Sequence, residues 1–227
     1  MKIEDSKILR FWNEDKSLTV MLLLLLSFIF IFIPILDHGR IGAVLLKIIY
    51  TVILLTGILS VAKNKKHLIV VSIFAIIALL LNWLSQVFPT TSVLIAHDLA
   101  AIFFNAIFAM AILVKTFKSG EITYHRIVGS IVVYLMMGLV FTYIFHSIYL
   151  YYGPTTFNNI TGSGIREFIY FSFTSLTTMG YGDITPVNPL ARALANFEAL
   201  IGKLYPAILI ARLVSMEFDS SMKKRTG

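Results

Sequence analysis

A short polar segment near the C-terminal end of the chain has residue types that could bind a cation. Residues 177–183 read Thr-Thr-Met-Gly-Tyr-Gly-Asp and lie between two long apolar stretches. Gly180 and Gly182 weaken a helix and open backbone dihedral angles that other residues avoid. At membrane depth, irregular backbone is tolerated only where it is buried in protein or lines water. A strand of carbonyl oxygens facing a water-filled axis could strip a cation of water and pass it on.

The segments on either side of this motif could hold it inside a membrane. Residues 165–176 form an apolar, aromatic run that is too short to span a bilayer, which suits a re-entrant helix. Ser163 could cap the start of that helix. After the motif, residues 183–186 read Asp-Ile-Thr-Pro and predict a turn, and a long apolar helix is predicted to begin at Pro189.

The composition is typical of an integral membrane protein. Apolar residues make up 58% of the chain and charged residues 14%, about half the share usual in soluble domains. There is no cysteine, which excludes disulfides and thiolate metal sites. The sequence has no metal-ligand cluster, nucleophile triad or phosphate-binding loop. We therefore expect neither an enzyme nor a cofactor.

The basic residues are distributed as the positive-inside rule describes. Lys and Arg number 19 against 12 Asp and Glu, a formal net charge of +7. They concentrate before the first apolar stretch, in alternate loops after it and at the C-terminal end, which predicts that both termini are cytoplasmic. We expect a multi-pass protein of the plasma membrane whose basic residues contact anionic lipid, and no nucleic-acid partner.

Hydropathy predicts an all-α membrane protein with six transmembrane helices, one re-entrant helix and one loop. The six predicted spans are residues 18–36, 41–62, 67–88, 92–117, 125–151 and 189–218. We expect four regions in chain order. They are a cytoplasmic N-terminal segment (1–17, either an interfacial helix or a frayed tail), a four-helix peripheral domain (18–118), a pore domain (119–218) and a basic cytoplasmic tail (219–227).

Residues 178–182 read Thr-x-Gly-Tyr-Gly, which resembles the selectivity filter of the potassium channels. From about Glu121 to its C-terminus, the chain resembles the pore domain of tetrameric potassium channels, with an outer helix, a pore helix, a filter and an inner helix. The first four spans match the peripheral domain of six-span channels in number only. The lack of a large soluble domain fits a compact prokaryotic channel.

The resemblance implies how K⁺, the transported ion, would be bound. One chain carries one filter strand, whereas a ring of carbonyls needs four, so a homotetramer is implied. The filter would bind K⁺ through the carbonyls of four residues and one hydroxyl, with two glycines supplying the unusual dihedral angles. These residues are Thr178 (carbonyl and hydroxyl), Met179 at the position where the family has Val, Gly180, Tyr181 and Gly182.

Behind the filter, the resemblance implies a supporting network that is incomplete here. The family often joins the Asp after its filter to a Trp and an acidic residue of the pore helix. Asp183 is present, but the two matching positions hold Tyr170 and Thr174. The Tyr170 hydroxyl could still donate to Asp183. From the inner helix, Glu198 could form a hydrogen bond to the pore helix.

Two positions of the inner helix suggest a bend. Gly202 falls at the position of the family's gating-hinge glycine, counting from the filter. Pro206 lies four residues on, so that its ring conflicts with the Gly202 carbonyl and removes one hydrogen bond. Either a gating hinge or a static bend fixed by packing would account for this pair.

Lys203 is unexpected at its position. The resemblance turns it towards the cavity, on the same stripe as Ala207 and Ile210. Four ammonium groups below the filter would oppose the passage of K⁺, so an intramembrane charge there is a functional hypothesis. The alternatives are a neutral amine or a pair with Glu198 of a neighbouring chain.

The fourth span lacks the charges of a voltage sensor. Residues 92–105 contain no Arg, whereas steep gating needs several charges because each contributes about 2.3 kcal/mol per 100 mV. We therefore expect no conventional voltage gating. The polar residues of this span are His97, Asp98 and Asn105, and we expect them to contact Asn82 of the third span.

Two other functions stay open. A potassium uptake transporter subunit shares filter ancestry with the channels, but it usually carries four degenerate filter loops in one chain, and this chain has one. A non-conducting regulatory subunit of a channel is the second alternative. It stays open because Lys203 would oppose the passage of K⁺.

Overall fold

The structure is a computed structural model that describes residues 14–36, 39–60, 65–116, 124–162 and 164–226. Most of the predicted N-terminal segment and Ser163 therefore lie outside the described residues. Helix α1 comprises Glu14–Ser27, a π-helical turn at Phe28–Phe32 and a last turn at Ile33–Leu36. The other helices are α2 (Gly39–Ser60), α3 (Lys65–Val87), α4 (Thr91–Thr116), α5 (Tyr124–Tyr152), α6 (Ile165–Leu176) and α7 (Pro189–Thr226). Each predicted span overlaps one helix, and residues 165–176, which were predicted to be re-entrant, form α6.

Three of these helices contain stretches long and apolar enough to cross a membrane. The stretches are Ile69–Val87, Thr91–Val114 and Arg126–Tyr152, and shorter apolar stretches occupy Leu18–Phe32 and Val44–Ile58. Large apolar side chains also point outwards, as at Leu80, which is 62% exposed. An outer surface this apolar needs an apolar surrounding. The protein is therefore embedded in a membrane.

The helices pack around α5. The contact between α4 and α5 is the most extensive in the described structure, and α1 also packs on α5. One apolar core joins α1 to α5 through fully buried side chains such as Leu25, Leu54, Phe104 and Met136. On its other side α5 contacts α6, which in turn packs against α7. Helices α1 and α4 thus lie directly against α5, whereas α2 and α3 pack mainly on the other helices of the first four.

Buried polar side chains connect the helices in a pattern that differs from the expected one. Asp98 of α4 bonds to α5, with Oδ2 2.7 Å from His146 Nδ1 and 3.3 Å from Ser147 Oγ. Asn82 instead faces Lys47 of α2, whose Nζ donates to the Asn82 carbonyl at 2.6 Å. The expected contact between Asn82 and the polar residues of α4 was therefore wrong. Lys47 bonds to the Asn82 backbone carbonyl and to the Ser85 hydroxyl. Hydrogen bonds from a charged donor such as this ammonium group are stronger than those between neutral side chains, which favours Lys47 over the polar residues of α4.

The loops around α6 depart slightly from an all-helical fold. A 3₁₀ turn at Pro154–Thr156 leads into β1 (Phe157–Asn158), which pairs antiparallel with β2 (Thr185–Pro186). The backbone N–H groups of Val187 and Asn188 also donate to the Thr156 carbonyl, at 2.8 and 3.1 Å. The segment before α6 and the segment after the motif are therefore joined by backbone hydrogen bonds.

Candidate functional site

Aromatic side chains hold α6, the pore helix of the predicted site. Phe168 and Phe171 are buried on the face of α6 towards α5. The Phe171 ring lies edge-on to Phe145 of α5, with centroids 4.9 Å apart, and to Phe157 of β1 at 5.3 Å. Edge-to-face aromatic pairs at such distances add about 0.5–1.5 kcal/mol beyond the area that they bury. This cluster fixes α6 against α5 and β1.

A carboxylate fixes the chain at the start of α6. Glu167, in the first turn, accepts hydrogen bonds from the Thr161 backbone N–H at 3.0 Å and the Thr161 hydroxyl at 2.5 Å. A third bond comes from the Gly162 N–H at 3.4 Å. The N-cap residue is Gly164, which makes no side-chain cap bond. Sequence reasoning missed Glu167, although an acidic residue in a first helical turn is a recognised stabilising signal.

The motif after α6 has an alternating backbone. Thr178, Gly180 and Gly182 have positive φ angles of 58°, 54° and 78°, whereas Met179 and Tyr181 do not. Such alternation turns successive backbone N–H groups to one side of the strand and the carbonyls to the other. Left-handed backbone is disfavoured for a non-glycine residue by about 1–2 kcal/mol, so Thr178 must be held in place by its surroundings.

The last turn of α6 provides that support. The N–H of Thr178 donates to the Ser175 carbonyl at 2.9 Å, and the N–H groups of Met179 and Gly180 share the Thr174 carbonyl at 2.9 and 3.2 Å. No hydrogen bond to a carbonyl of residues 178–182 is formed within the described ranges. The segment therefore directs its first three donors to α6 and leaves its carbonyl oxygens without a partner in the described part of the chain. Thr174 contributes its carbonyl, while its hydroxyl donates to Phe171 of its own helix.

The far end of the motif is held by side chains. The Tyr170 hydroxyl donates to Asp183 Oδ2 at 2.6 Å, and the Asn159 side chain donates to the Asp183 carbonyl at 2.8 Å. The Tyr170 ring also stacks on Tyr181, with the planes 5° apart and centroids at 6.4 Å. Thus Tyr170 contacts both residues that flank Gly182. Asn159 was not anticipated from the sequence.

The Tyr170–Asp183 bond changes the ionisation of both partners. The hydrogen bond from Tyr170 lowers the pKa of the Asp183 carboxyl below its ordinary value. The bond to Asp183 raises the pKa of Tyr170 to about 12. A lowered carboxyl pKa means that the bond contributes stability above about pH 4 and loses it only as the pH falls through the lowered value. The pair is therefore intact at neutral pH.

On the other side of α6, Glu198 of α7 is buried. Its Oε1 lies 2.5 Å from the Ser172 hydroxyl, and its Oε2 has no partner within the described structure. Ser172 also lies 2.7 Å from the Gly138 carbonyl of α5. Glu198 thus contacts the pore helix, as the sequence suggested, and the contact joins three helices.

Gly202 lies where α7 comes closest to the end of α6. A Cβ placed at Gly202 would be 1.8 Å from the Leu176 carbonyl oxygen, so no larger residue fits this backbone approach. Pro206 follows within the same helix, and α7 continues past it to Thr226. The glycine has a packing role here, because it lets two backbones touch. A hinge at Gly202 and Pro206 stays a prediction.

Lys203 and the residues on its stripe face away from the rest of the chain. Lys203, Ala207 and Ile210 are all exposed, and Ile210 is 62% exposed. Glu198, in contrast, is on the buried side of α7. A pair between Lys203 and Glu198 is therefore not formed within one chain. The motif and this stripe of α7 are both exposed in the single chain.

One comparison with known proteins concerns the segment that contains this site. Residues 138–218 match a family model described as "Ion channel". That segment contains α6, the motif and most of α7. This part of the chain is therefore similar to ion-channel domains.

Three curated relatives are similar to part of the chain. Protein LctB of Geobacillus stearothermophilus is 39% identical over 61 residues, 27% of this chain and 42% of that protein. LctB of Bacillus caldotenax is 38% identical over 50 residues, 22% of this chain and 37% of that protein. "Two pore potassium channel c" of Oryza sativa subsp. japonica is 38% identical over 55 residues, 24% of this chain and 12% of that protein.

The chain spans less than half the length of the curated relatives that it matches. No solved structure matches it significantly. The comparisons therefore support an ion channel, and the family match that supports it lies in residues 138–218.

We expect Tyr170→Phe and Asp183→Ala each to shorten the time for which ion flux through the purified protein in liposomes persists, because their hydrogen bond holds the far end of the motif. Both remove the same hydrogen bond, so the loss in the double variant should be smaller than the sum of the two single losses. Tyr151→Phe is the matched control, since Tyr151 is 74% exposed. Additive losses in the double variant would contradict the pairing.

We expect Gly202→Ala to destabilise the protein by at least about 1–3 kcal/mol, because the new Cβ meets backbone that cannot move aside. Thermal unfolding in detergent measures this. The control is Gly57→Ala in α2, where the added Cβ would meet the tip of the Phe104 ring at 3.1 Å and a smaller loss is expected. Unchanged unfolding of Gly202→Ala would contradict the close approach.

Proposed function

We propose that four copies of this chain form a potassium-selective channel that passes K⁺ down its gradient. The geometry of residues 178–182 carries this proposal. Three left-handed residues alternate with two others, and the backbone N–H groups of residues 178–180 are bound to α6. The carbonyls of Thr178, Met179, Gly180 and Tyr181 are then available to replace the hydration shell of an ion.

The tetramer follows from the number of filter strands. One chain supplies one strand, and a coordination shell around a central axis needs several related copies. In such an assembly the exposed side of α7 would be covered by neighbouring copies or line the cavity. The choice of K⁺ is supported by the Thr-Met-Gly-Tyr-Gly sequence and by the potassium-channel name of the rice relative.

We further propose the membrane arrangement. Helices α1 to α5 and α7 would cross the plasma membrane, α6 would be re-entrant, and both termini would be cytoplasmic, in accord with the distribution of Lys and Arg. Conventional voltage gating is not proposed, because the fourth span has no Arg among residues 92–105. The basic residues at the cytoplasmic ends would contact anionic lipid.

We expect liposomes containing the purified protein to pass K⁺ much faster than Na⁺ at matched gradients. Gly180→Ala should lower the K⁺/Na⁺ flux ratio about tenfold or more, because an L residue at a φ of 54° is disfavoured and shifts the carbonyls. Gly162→Ala is the control, since its nearest neighbour lies 3.9 Å from the added Cβ. Equal K⁺ and Na⁺ flux through the unaltered protein would contradict the proposal.

Lys203 supports a second candidate, a non-conducting regulatory subunit that joins other channels. Its side chain lies on the exposed side of α7, where four copies would bring four ammonium groups to the cavity. If that placement holds in a conducting tetramer, Lys203→Gln should raise single-channel conductance or change rectification. Identical currents from both forms would remove Lys203 from the conduction path. No flux from either form would favour the regulatory subunit.

A further inference from the structure

The hydroxyl of Ser172 has two oxygen neighbours but only one proton. Its Oγ lies 2.7 Å from the Gly138 carbonyl oxygen of α5 and 2.5 Å from Glu198 Oε1 of α7. A carbonyl oxygen can only accept, so the bond to Gly138 uses the Ser172 proton. The remaining short contact then needs a proton from the other side. Only Glu198 can supply it, as a carboxylic acid whose hydroxyl donates to Ser172.

The surroundings of Glu198 favour the neutral acid for a second reason. The side chain is fully buried, and Oε2 has no hydrogen-bond partner in the part of the chain that is described. Glu198 forms no ion pair with any described Lys, Arg or His. A buried carboxylate without a cation or further donors is strongly disfavoured. Tyr134 of α5 is a neighbouring ionisable group, and its ring stacks on Tyr205 of α7. The hydroxyls of these two tyrosines donate to the Leu176 and Ser130 carbonyls.

We propose that Glu198 is a protonated carboxylic acid that positions the pore helix through Ser172, and that filter selectivity depends on this neutral hydrogen-bond chain. The chain of donors runs from Glu198 of α7 to Ser172 of α6 and on to Gly138 of α5. This inference rests on the proposed function for its effect on selectivity, but the protonation state stands without it.

The position of Ser172 explains why the filter should respond. Thr174, two residues further along α6, provides the carbonyl that binds the N–H groups of Met179 and Gly180. Loss of the proton would turn the Ser172 hydroxyl to the carboxylate and break its bond to the Gly138 carbonyl, which would keep the bond from the Thr142 hydroxyl. A shift of α6 would then move the Thr174 carbonyl and, with it, the backbone that presents the filter oxygens.

The first test is infrared difference spectroscopy of the full chain in lipid at neutral pH. The unaltered protein should show the C=O stretching band of a buried protonated carboxylic acid, and Glu198→Gln should remove that band. Glu167→Gln is the control and should leave the band in place, because Glu167 lies at the exposed start of α6. A spectrum that shows Glu198 as a carboxylate at neutral pH would overturn the inference, whatever the protein conducts.

The second test measures the K⁺/Na⁺ flux ratio in liposomes. Glu198→Gln should stay within about threefold of the unaltered protein, because an amide is neutral and still donates to Ser172. Glu198→Ala should lower the ratio about tenfold, the usual scale for one lost buried hydrogen bond. If Glu198→Gln loses selectivity as fully as Glu198→Ala, the charged form is required and the inference fails.

The two tests separate two kinds of failure. An unaltered protein that shows the acid band without K⁺ preference would refute the proposed function and leave the protonation state established. A K⁺-selective protein without the acid band would support the proposed function and refute the protonated Glu198. Equal selectivity in Glu198→Ala, Ser172→Ala and the unaltered protein would show that this contact is structural and does not position the filter.

Discussion

The site depends on how the backbone donors of residues 178–180 are satisfied. In an apolar surrounding every peptide N–H needs a partner, and the final turn of α6 provides carbonyls that no longer serve its own helix. Ser175 and Thr174 accept three of these donors. Because these N–H groups bond to α6 on one side of the segment, the carbonyl oxygens on its other side stay available to bind a common ligand. The positions of α5, β1, β2 and α7 all serve to keep that last turn in place.

The surrounding elements restrain α6 from different directions. The Phe145, Phe157 and Phe171 cluster holds the face towards α5, and Glu167 holds the start of the helix. Gly202 allows α7 to touch the carbonyl of Leu176, at the end of the helix. The strands add a fourth restraint beyond the motif. A short helix held at both ends and on two faces has little freedom to alter the spacing of the carbonyls that follow it.

The sequence predicted the helices and the motif better than the contacts around them. The length of the apolar stretches suffices to predict the helices, and the positions of Gly180 and Gly182 suffice to predict irregular backbone in the motif. Both features depend on local properties of the sequence. Ser172 and Asn159 could not be anticipated, since a serine or asparagine carries no signal until its neighbours are known. Asn82 was assigned to the wrong helix for the same reason. Helical periodicity shows which face is polar, but not which of several polar partners lies opposite.

The contact of Lys47 with α3 has an electrical consequence. Its ammonium group is bound by the carbonyl of Asn82 and the hydroxyl of Ser85, two oxygens on one neighbouring helix. A cation coordinated in this way cannot travel along the membrane normal without first leaving both oxygens. Lys47 would therefore contribute almost no displacement current when the electric field across the protein changes.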